Sequence, residues 1–443
     1  MALLENIWWY LVLIGVMILI HELGHYWAAR FFDVKVETFS FGFGPRLFGF
    51  KRGDTDFRFS ALLFGGYVKM AGDQPGDQAG DQANADPRNL LAKPRWQRLI
   101  ITFAGPAINL VLAVVLLTGL FMEHYPKIPT PQDPIVGYVV PDGAAAKAGL
   151  RAGDKVVQID DVVDPNWEDI AMKEIASARR ALQIWVMRNG ERVHLTVTPT
   201  LDERDGIGRL GWTQENEVQV SSITPGMAAQ AAGLQHGDIL ISANGLPLRS
   251  IFRLHEIEKE TDGRPLDLIY SRNGTEHRIT VAPVKSDPDH TGQERWVIGL
   301  TVESRVDIVK LPLTQALTEA VRENVRSAKL IFQFLEGMIE RRMSPKSIVG
   351  PVGIAQMSGQ AAREGAATFI GLMAAVSLNL AIFNLLPIPI LDGGVILMLL
   401  VEMLLRRDVD LKVKEAVVKV GFVFLMVVVV FVIYNDISKM LPG

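Results

Sequence analysis

The 443-residue sequence contains no cysteine. Disulfide scaffolds, thiolate zinc sites and cysteine nucleophiles are therefore excluded, and a strong metal site must be built from histidine and carboxylates. The same absence leaves the compartment open. Charge is also scarce. Only 21% of residues are Asp, Glu, Lys or Arg, and 45 basic against 49 acidic side chains leave a formal net charge of -4. No one-signed field marks a nucleic-acid surface, so nucleic acid is not an expected partner. Hydrophobic residues make up 49% of the chain, and the mean hydropathy is +0.21.

That hydrophobicity is concentrated in four runs long enough to cross a bilayer, which takes roughly 20 helical residues. They cover about 7–29, 99–122, 367–386 and 416–434. The first is expected to be a retained span rather than a cleaved leader. It opens with MALLENIWWY, has no Lys or Arg before Arg30, and continues into HELGHYW. The segment between the first two runs carries Arg30, Lys35, Arg46, Lys51, Arg52, Arg58, Lys69 and Arg98 among its basic residues. The connection before the fourth run carries Arg406, Arg407, Lys412 and Lys414. Basic residues near span ends mark the cytoplasmic side, so both termini and the long middle region are expected outside. Arg341, Arg342 and Lys346 oppose this weakly, because the rule has little force on long translocated segments.

The middle region repeats itself. Val140 to Asp154 aligns with Thr224 to Asp238 at an offset of 84 residues, matching Pro141/Pro225, Ala145/Ala229, Gly149/Gly233, Leu150/Leu234 and Asp154/Asp238 among others. Each copy reads as a short Ala-rich helix, a glycine cap, a Gly-Asp turn and an apolar strand. The spacing is too long for a solenoid and suits a tandem of small β-rich domains. The pattern resembles bacterial protease-associated PDZ domains. The resemblance implies capture of an extended chain or carboxy-terminus, or a size filter. Two weaker features lie earlier. Residues 72–87 contain three GDQ units and read as an acidic flexible loop. Residues 34–70 alternate like strands, as hairpins at the membrane interface or as an ordinary cytosolic sheet.

The sharpest signal is His21-Glu22-Leu23-Gly24-His25. In a helix the two histidines share one face and can reach one metal ion, with Glu22 beside it. Zinc fits this donor set, polarising a carbonyl and acidifying water while the glutamate takes the proton. Ionisable side chains inside a span are costly, about 2.5–3.5 kcal/mol for a charge at mid-membrane. They are kept where they pair, bind metal or line a wet cavity. A catalytic zinc usually has three protein ligands and one open position. The other histidines fall at or beyond the outer membrane edge, and Asp392, in Leu391-Asp-Gly-Gly394, is the favoured third ligand. The first and third spans both run inward, bringing these groups to similar depth. Pro387 and Pro389 break the helix just before Asp392. Glu402 is the competing carboxylate, nearer the span exit.

HELGH in the first span and LDGG after the third resemble the site-2 protease family of intramembrane zinc metalloproteases. The tandem PDZ-like repeat narrows the resemblance to the sigma-E-regulating branch of Gram-negative bacteria. FGFGP (Phe41–Pro45), GGYVKM (Gly65–Met70), AGPAIN (Ala104–Asn109) and GPVGIA (Gly350–Ala355) match as well. The resemblance covers almost the whole chain, apart from the GDQ loop. It implies that His21, His25 and Asp392 bind Zn2+ and that Glu22 is the general base. It also implies that Asn379 and Asn384 bind substrate backbone, the lesser alternative being that these membrane-buried amides simply join helices. Asn109 is a weaker match of that kind.

The expected architecture is a polytopic α-helical membrane protein with four transmembrane helices and two tandem periplasmic PDZ domains. A membrane-associated β-hairpin region lies on its cytoplasmic side. Its segments are a first span with HExxH (1–30), the β region and acidic loop (31–98), a second span (99–122) and PDZ domains over 123–215 and 216–305. A periplasmic amphipathic helical connector (306–366), a third span with the LDG motif (367–405) and a fourth span (416–435) complete it. The family implies a bacterial inner-membrane enzyme. Its partners would be the lipid bilayer and single-span membrane substrates, such as an anti-sigma factor already cut on the periplasmic side, with remnant signal peptides also possible. The rival expectations are a non-enzymatic envelope PDZ scaffold with a relic metal site, and an ion transporter. An intact Glu22 opposes the first, because a structural site needs ligands but no base. The HExxH spacing and the repeat oppose the second.

Overall fold

The computed structural model describes residues 2–72, 86–127, 133–202, 207–286, 294–339 and 348–440. Residues 73–85 of the acidic GDQ segment, with Arg341, Arg342 and Lys346, lie outside the described residues. In chain order the elements that matter here are α1 (Ala2–Phe31), β1 (Val36–Arg52), β2 (Thr55–Met70) and α2 (Arg95–Glu123). Four shorter helices follow, α3 (Ala144–Lys147), α4 (Trp167–Ala176), α5 (Ala228–Ala231) and α6 (Ile251–Glu260). The chain ends with α7 (Leu313–Ile339), α8 (Pro351–Glu364), α9 (Ala366–Leu385), α10 (Asp392–Leu405) and α11 (Leu411–Met440). These form two compact units: Met1–Tyr125 with Lys310–Phe332 and Ile348–Gly443, and Pro126–Val309 with Gln333–Ser347.

In the first unit α1, α2, α9 and α11 are long and apolar enough to cross a membrane, and less than a third of each helix's most apolar stretch is buried. Apolar side chains stand outward over most of their length, which suits a hydrocarbon surrounding and not water. α1 places Glu5 in its first turn and Arg30 in its last, in accord with the helix dipole. α2 is the central helix, packing against α1, α9 and α10. Ala113 of α2 with Leu378 and Ile382 of α9 form one small core, and the Ser377 hydroxyl donates to the Asn109 main-chain carbonyl at 2.8 Å. The segment over 367–405 is two helices. α9 stops at Leu385, ahead of Pro387 and Pro389, and α10 starts afresh at Asp392.

Two contacts fix the outer helices around that break. A β-carbon on Gly421 of α11 would fall 2.4 Å from the Pro389 Cβ, so the glycine permits close approach to the loop before Asp392. Asp436 accepts the amides of Gly350 at 2.9 Å and Gly353 at 3.0 Å, satisfying orphan donors at the start of α8. α7 buries Ala316 and Ala320 against Phe121 and leaves Leu317, Val321 and Val325 exposed.

β1 and β2 are each folded back on themselves. The first half of β1 pairs with both ends of β2, as in Phe39 with Val68 and with Phe57, while Phe50 in its second half pairs with Phe57 on the other side. The result is four antiparallel segments. Gly42 and Gly44, at φ 96° and 87°, make the bend in β1 that side-chain-bearing residues rarely adopt. Val36 and Phe39 are buried, whereas Leu47, Phe48 and Phe50 at the far end are exposed.

The second unit holds two modules built on one plan. Val136, Ala145, Leu150 and Ile184 form part of the first core, and Val220, Ala229, Leu234 and Leu268, each 84 residues on, take the same places in the second. The strands Lys155–Ile159 and Ile239–Ala243 pair antiparallel with Leu182–Arg188 and Leu266–Arg272 respectively. The repeated aspartates explain themselves. Asp154 and Asp238 are each 1% exposed, and each accepts two 2.7 Å bonds from one guanidinium, Arg188 or Arg272. The same guanidinium also donates to the Gly149 or Gly233 carbonyl at 2.7 and 2.8 Å, tying the turn to the strand. Removing one partner of such a buried pair costs about 3–5 kcal/mol.

Glu174 of α4 and Glu258 of α6 form a second duplicated device. Glu174 accepts from the Leu210 amide at 2.5 Å and the Trp212 indole at 2.8 Å, and Glu258 accepts from the Ile298 amide at 3.1 Å. Burial pushes both carboxyls up, Glu258 to about 7. The two modules meet where Tyr138 stacks on Phe252, with ring centroids 5.9 Å apart.

Candidate metal centre

The HELGH segment lies in the later half of α1, and its spacing of four turns both imidazoles to one side. Asp392 is the first residue of α10, with Leu391 in the capping position. Its side chain therefore does not cap the helix and reaches α1. Asp392 Oδ2 lies 3.1 Å from His21 Nε2, Asp392 Oδ1 lies 3.5 Å from His25 Nε2, and the two Nε2 atoms are 3.2 Å apart. His21 and His25 are buried. The three sequence-expected residues are thus brought together, and they are the only such His and carboxylate group among the described residues. Ile390, at φ 83°, holds a strained left-handed conformation in the preceding loop, a cost of about 1–3 kcal/mol that aims Asp392.

The donor set fits zinc. Ligands about 2.0–2.2 Å from a tetrahedral ion stand roughly 3.3–3.6 Å apart, close to the separations found here. Two neutral imidazoles and one carboxylate also form a known catalytic combination, with a fourth position left for substrate or water.

α2 supplies the back wall through Ile101, Gly105 and Asn109, four residues apart and so on one stripe. The Ile101 carbonyl accepts from His25 Nδ1 at 2.9 Å. Pro106 cannot donate to the turn behind it, which loosens the helix next to that carbonyl. A β-carbon on Gly105 would lie 2.3 Å from His25 Nε2 and 2.9 Å from His21 Cε1, so only glycine leaves room for the imidazoles. Gly24 lets α1 approach α2 closely, for a β-carbon there would meet the Ala104 carbonyl at 2.3 Å. Asn109 is fully buried, with Nδ2 3.4 Å from His21 Nδ1. Sequence reasoning missed Gly105 and Ile101. A glycine in the apolar run was the available signal for the first, and a main-chain carbonyl carries none.

The β region reaches the site as well. A β-carbon on Gly66 of β2 would lie 3.1 Å from Glu22 Cγ. Asn379 is exposed and Asn384 half-buried, and neither side chain makes a hydrogen bond among the described residues. Among the described residues neither amide hydrogen-bonds α9 to another helix. Glu402 stands apart from the triad. It is buried, 2.6 Å from Lys414 Nζ, and accepts from the Val409 amide at 3.0 Å, so its carboxylate is engaged elsewhere.

A buried His-His-Asp cluster with a neighbouring glutamate, among helices able to span a membrane, defines a class of metallopeptidase. The family model for peptidase family M50 matches residues 9–428, and the chain belongs to that family, the site-2 protease type of zinc metalloprotease. Among its relatives are a putative zinc metalloprotease of Treponema pallidum, 31% identical over 96% of this chain and 97% of that one, and one of Vibrio cholerae, 29% identical over 97% and 98%. The regulator of sigma-E protease RseP of Escherichia coli is 28% identical over 97% of this chain and 98% of its own. Among solved structures, the PDZ domain of an SdrC-like protein from Listeria monocytogenes matches 20% of this chain and 90% of its own, at 19% identity and a TM-score of 0.18. The family resemblance of the sequence is borne out, and the protein is a zinc-dependent membrane enzyme.

Proposed function

We propose that this protein hydrolyses a peptide bond within the transmembrane segment of a single-span membrane protein. In this reading His21, His25 and Asp392 hold the zinc and Glu22 is the general base. The carrying observation is the convergence of the three ligand atoms beside Glu22 inside a helix long enough to span a membrane. When bound, zinc supplies a Lewis acid that polarises the scissile carbonyl and acidifies water. Glu22 takes the proton of the attacking water and later delivers it to the leaving amine.

A transmembrane helix keeps its peptide groups in internal hydrogen bonds, so it must unwind before it can be cut. The unpartnered amides of Asn379 and Asn384 suit the freed peptide groups. Among the described residues the segment of β2 at Gly66–Met70 pairs with β1, and an unwound substrate strand would add beside this sheet.

The distribution of Lys and Arg supports a bacterial inner-membrane protein with both termini outside. The duplicated modules, read as tandem PDZ domains, would then lie in the periplasm. The aromatic far end of β1 suits the membrane interface. Relatives named as sigma-E regulators favour an anti-sigma factor, already trimmed outside, as the substrate class. The alternative of an envelope scaffold with a relic site is disfavoured by Glu22, which no structural metal site requires.

The test is cleavage of model single-span substrates by the purified full chain, in detergent and in lipid, beside Glu22→Gln. Cleavage within the span by the wild type alone is expected. Zinc-loaded wild type that leaves every trimmed substrate intact would overturn the proposal.

A further inference from the structure

Both histidines present Nε2 toward Asp392 and rest Nδ1 on α2, but on different chemistry. His25 Nδ1 meets the Ile101 carbonyl at 2.9 Å. A carbonyl can only accept, so His25 carries its proton on Nδ1 and keeps the Nε2 lone pair free toward the centre. His21 Nδ1 meets the Asn109 side-chain amide, with Nδ2 at 3.4 Å. An amide has a donor on one side and an acceptor on the other, so it can serve either tautomer of His21 by turning about its Cβ–Cγ bond.

With Nδ2 facing His21, the histidine carries its proton on Nε2 and donates to Asp392 across 3.1 Å. Asn109 Oδ1 is then a buried acceptor with no hydrogen-bond partner. Nε2 cannot hold that proton and also ligate a metal. Ligation moves the proton to Nδ1, and of the two amide atoms only Oδ1 can accept it.

We propose that Asn109 is a positioning residue of the metal centre. Its side-chain carbonyl accepts the Nδ1–H of His21 when Nε2 is a ligand, and so fixes the tautomer and the ring plane. This rests on His21 being a zinc ligand. The backbone that delivers the amide is itself held, because Asn109 is fully buried and Ser377 donates to its carbonyl at 2.8 Å. The stripe of α2 thereby has three parts: the Ile101 carbonyl for His25, an empty place at Gly105 for the two rings, and the Asn109 amide for His21. Groups that orient a ligating histidine in this way typically change metal affinity by about 10–100-fold when removed.

The experiment measures zinc affinity by chelator competition on the full chain in detergent, for wild type, Asn109→Ala and Asn109→Asp. Aspartate has nearly the same shape and can only accept when ionised. It is expected to bind zinc within a few-fold of wild type, whereas alanine loses about 10–100-fold. Equal affinity in alanine and wild type, or an aspartate variant that loses tenfold or more, overturns the proposal. Aspartate alone decides the matter if the alanine variant does not fold. Wild type that binds no zinc would instead remove the ligand assignment beneath the proposal.

Discussion

His21 Nε2 lies 3.1 Å from Asp392 Oδ2, joining the later half of the first helix to the first turn of α10. Asp392 contacts both imidazoles, at 3.1 and 3.5 Å, and as the proposed third ligand it closes the set. Asp392→Ala and His25→Ala should therefore each lose bound zinc, while Glu22→Gln keeps near-stoichiometric metal and loses turnover. Metal analysis of the purified variants checks this. Equal zinc in wild type and Asp392→Ala would remove Asp392 from the ligand set.

Gly105 gives a prediction opposite in sign to its local preference. In a helix interior, Gly→Ala ordinarily stabilises by up to about 1 kcal/mol. Here the added carbon would fall 2.3 Å from His25 Nε2. Gly105→Ala should cost at least about tenfold in zinc affinity. A variant that unfolds at a higher temperature and retains zinc as tightly as wild type would show that α2 can shift to admit the methyl group.

The difference between Asp392 and Gly105 shows what was legible in the sequence. His21, Glu22 and His25 announce themselves through spacing within one helix, and Asp392 through two prolines and the lack of any other ligand at that depth. The repeat at 84 residues exposed the two modules because their cores reuse the same positions. The Ile101 carbonyl, the room at Gly105 and the Asn109 contact arise where α2 crosses α1, and no local period encodes a crossing. The doubled pairing of β1 with β2 was hidden for a related reason. Strand alternation shows that segments extend, whereas glycines at positive φ decide where each folds back.

Glu258 should make the second module pH-sensitive. Its carboxyl is raised to about 7 by burial against an ordinary value near 4.5. Between those values the folded form binds the proton more tightly than the unfolded chain, so stability is greatest below the lower value and falls as pH rises to about 7. The size is on the order of 3 kcal/mol. Exchange of the Ile298 amide, which bonds to Glu258, should be less protected at pH 8 than at pH 5 once intrinsic rates are corrected. Glu258→Gln should flatten that difference. An unchanged pH dependence in the glutamine variant would place the titrating group elsewhere.

The last prediction separates access from recruitment. Deleting about 136–302 removes both module cores entire and none of the triad residues. His21 and His25 lie in the later half of α1, a helix long enough to cross about 30 Å of hydrocarbon, a depth a water-soluble domain does not enter. Such a domain influences the scissile bond only by admitting substrates or by holding them. If the modules act as a size gate, the deleted protein should still cut trimmed substrates and should newly cut those with large, untrimmed ectodomains. If they bind a substrate terminus, the deletion should slow trimmed substrates by about tenfold for each 1.4 kcal/mol of lost binding. Within the modules Glu174 and Glu258 already accept the Leu210 and Ile298 amides. With the site at that depth, the gate is the expected outcome. Matched long and short substrates, cleaved by full-length and deleted enzyme, provide the measurement. Faster cutting of the long form supports the gate, and uniformly slower cutting of the short form rejects it in favour of recruitment.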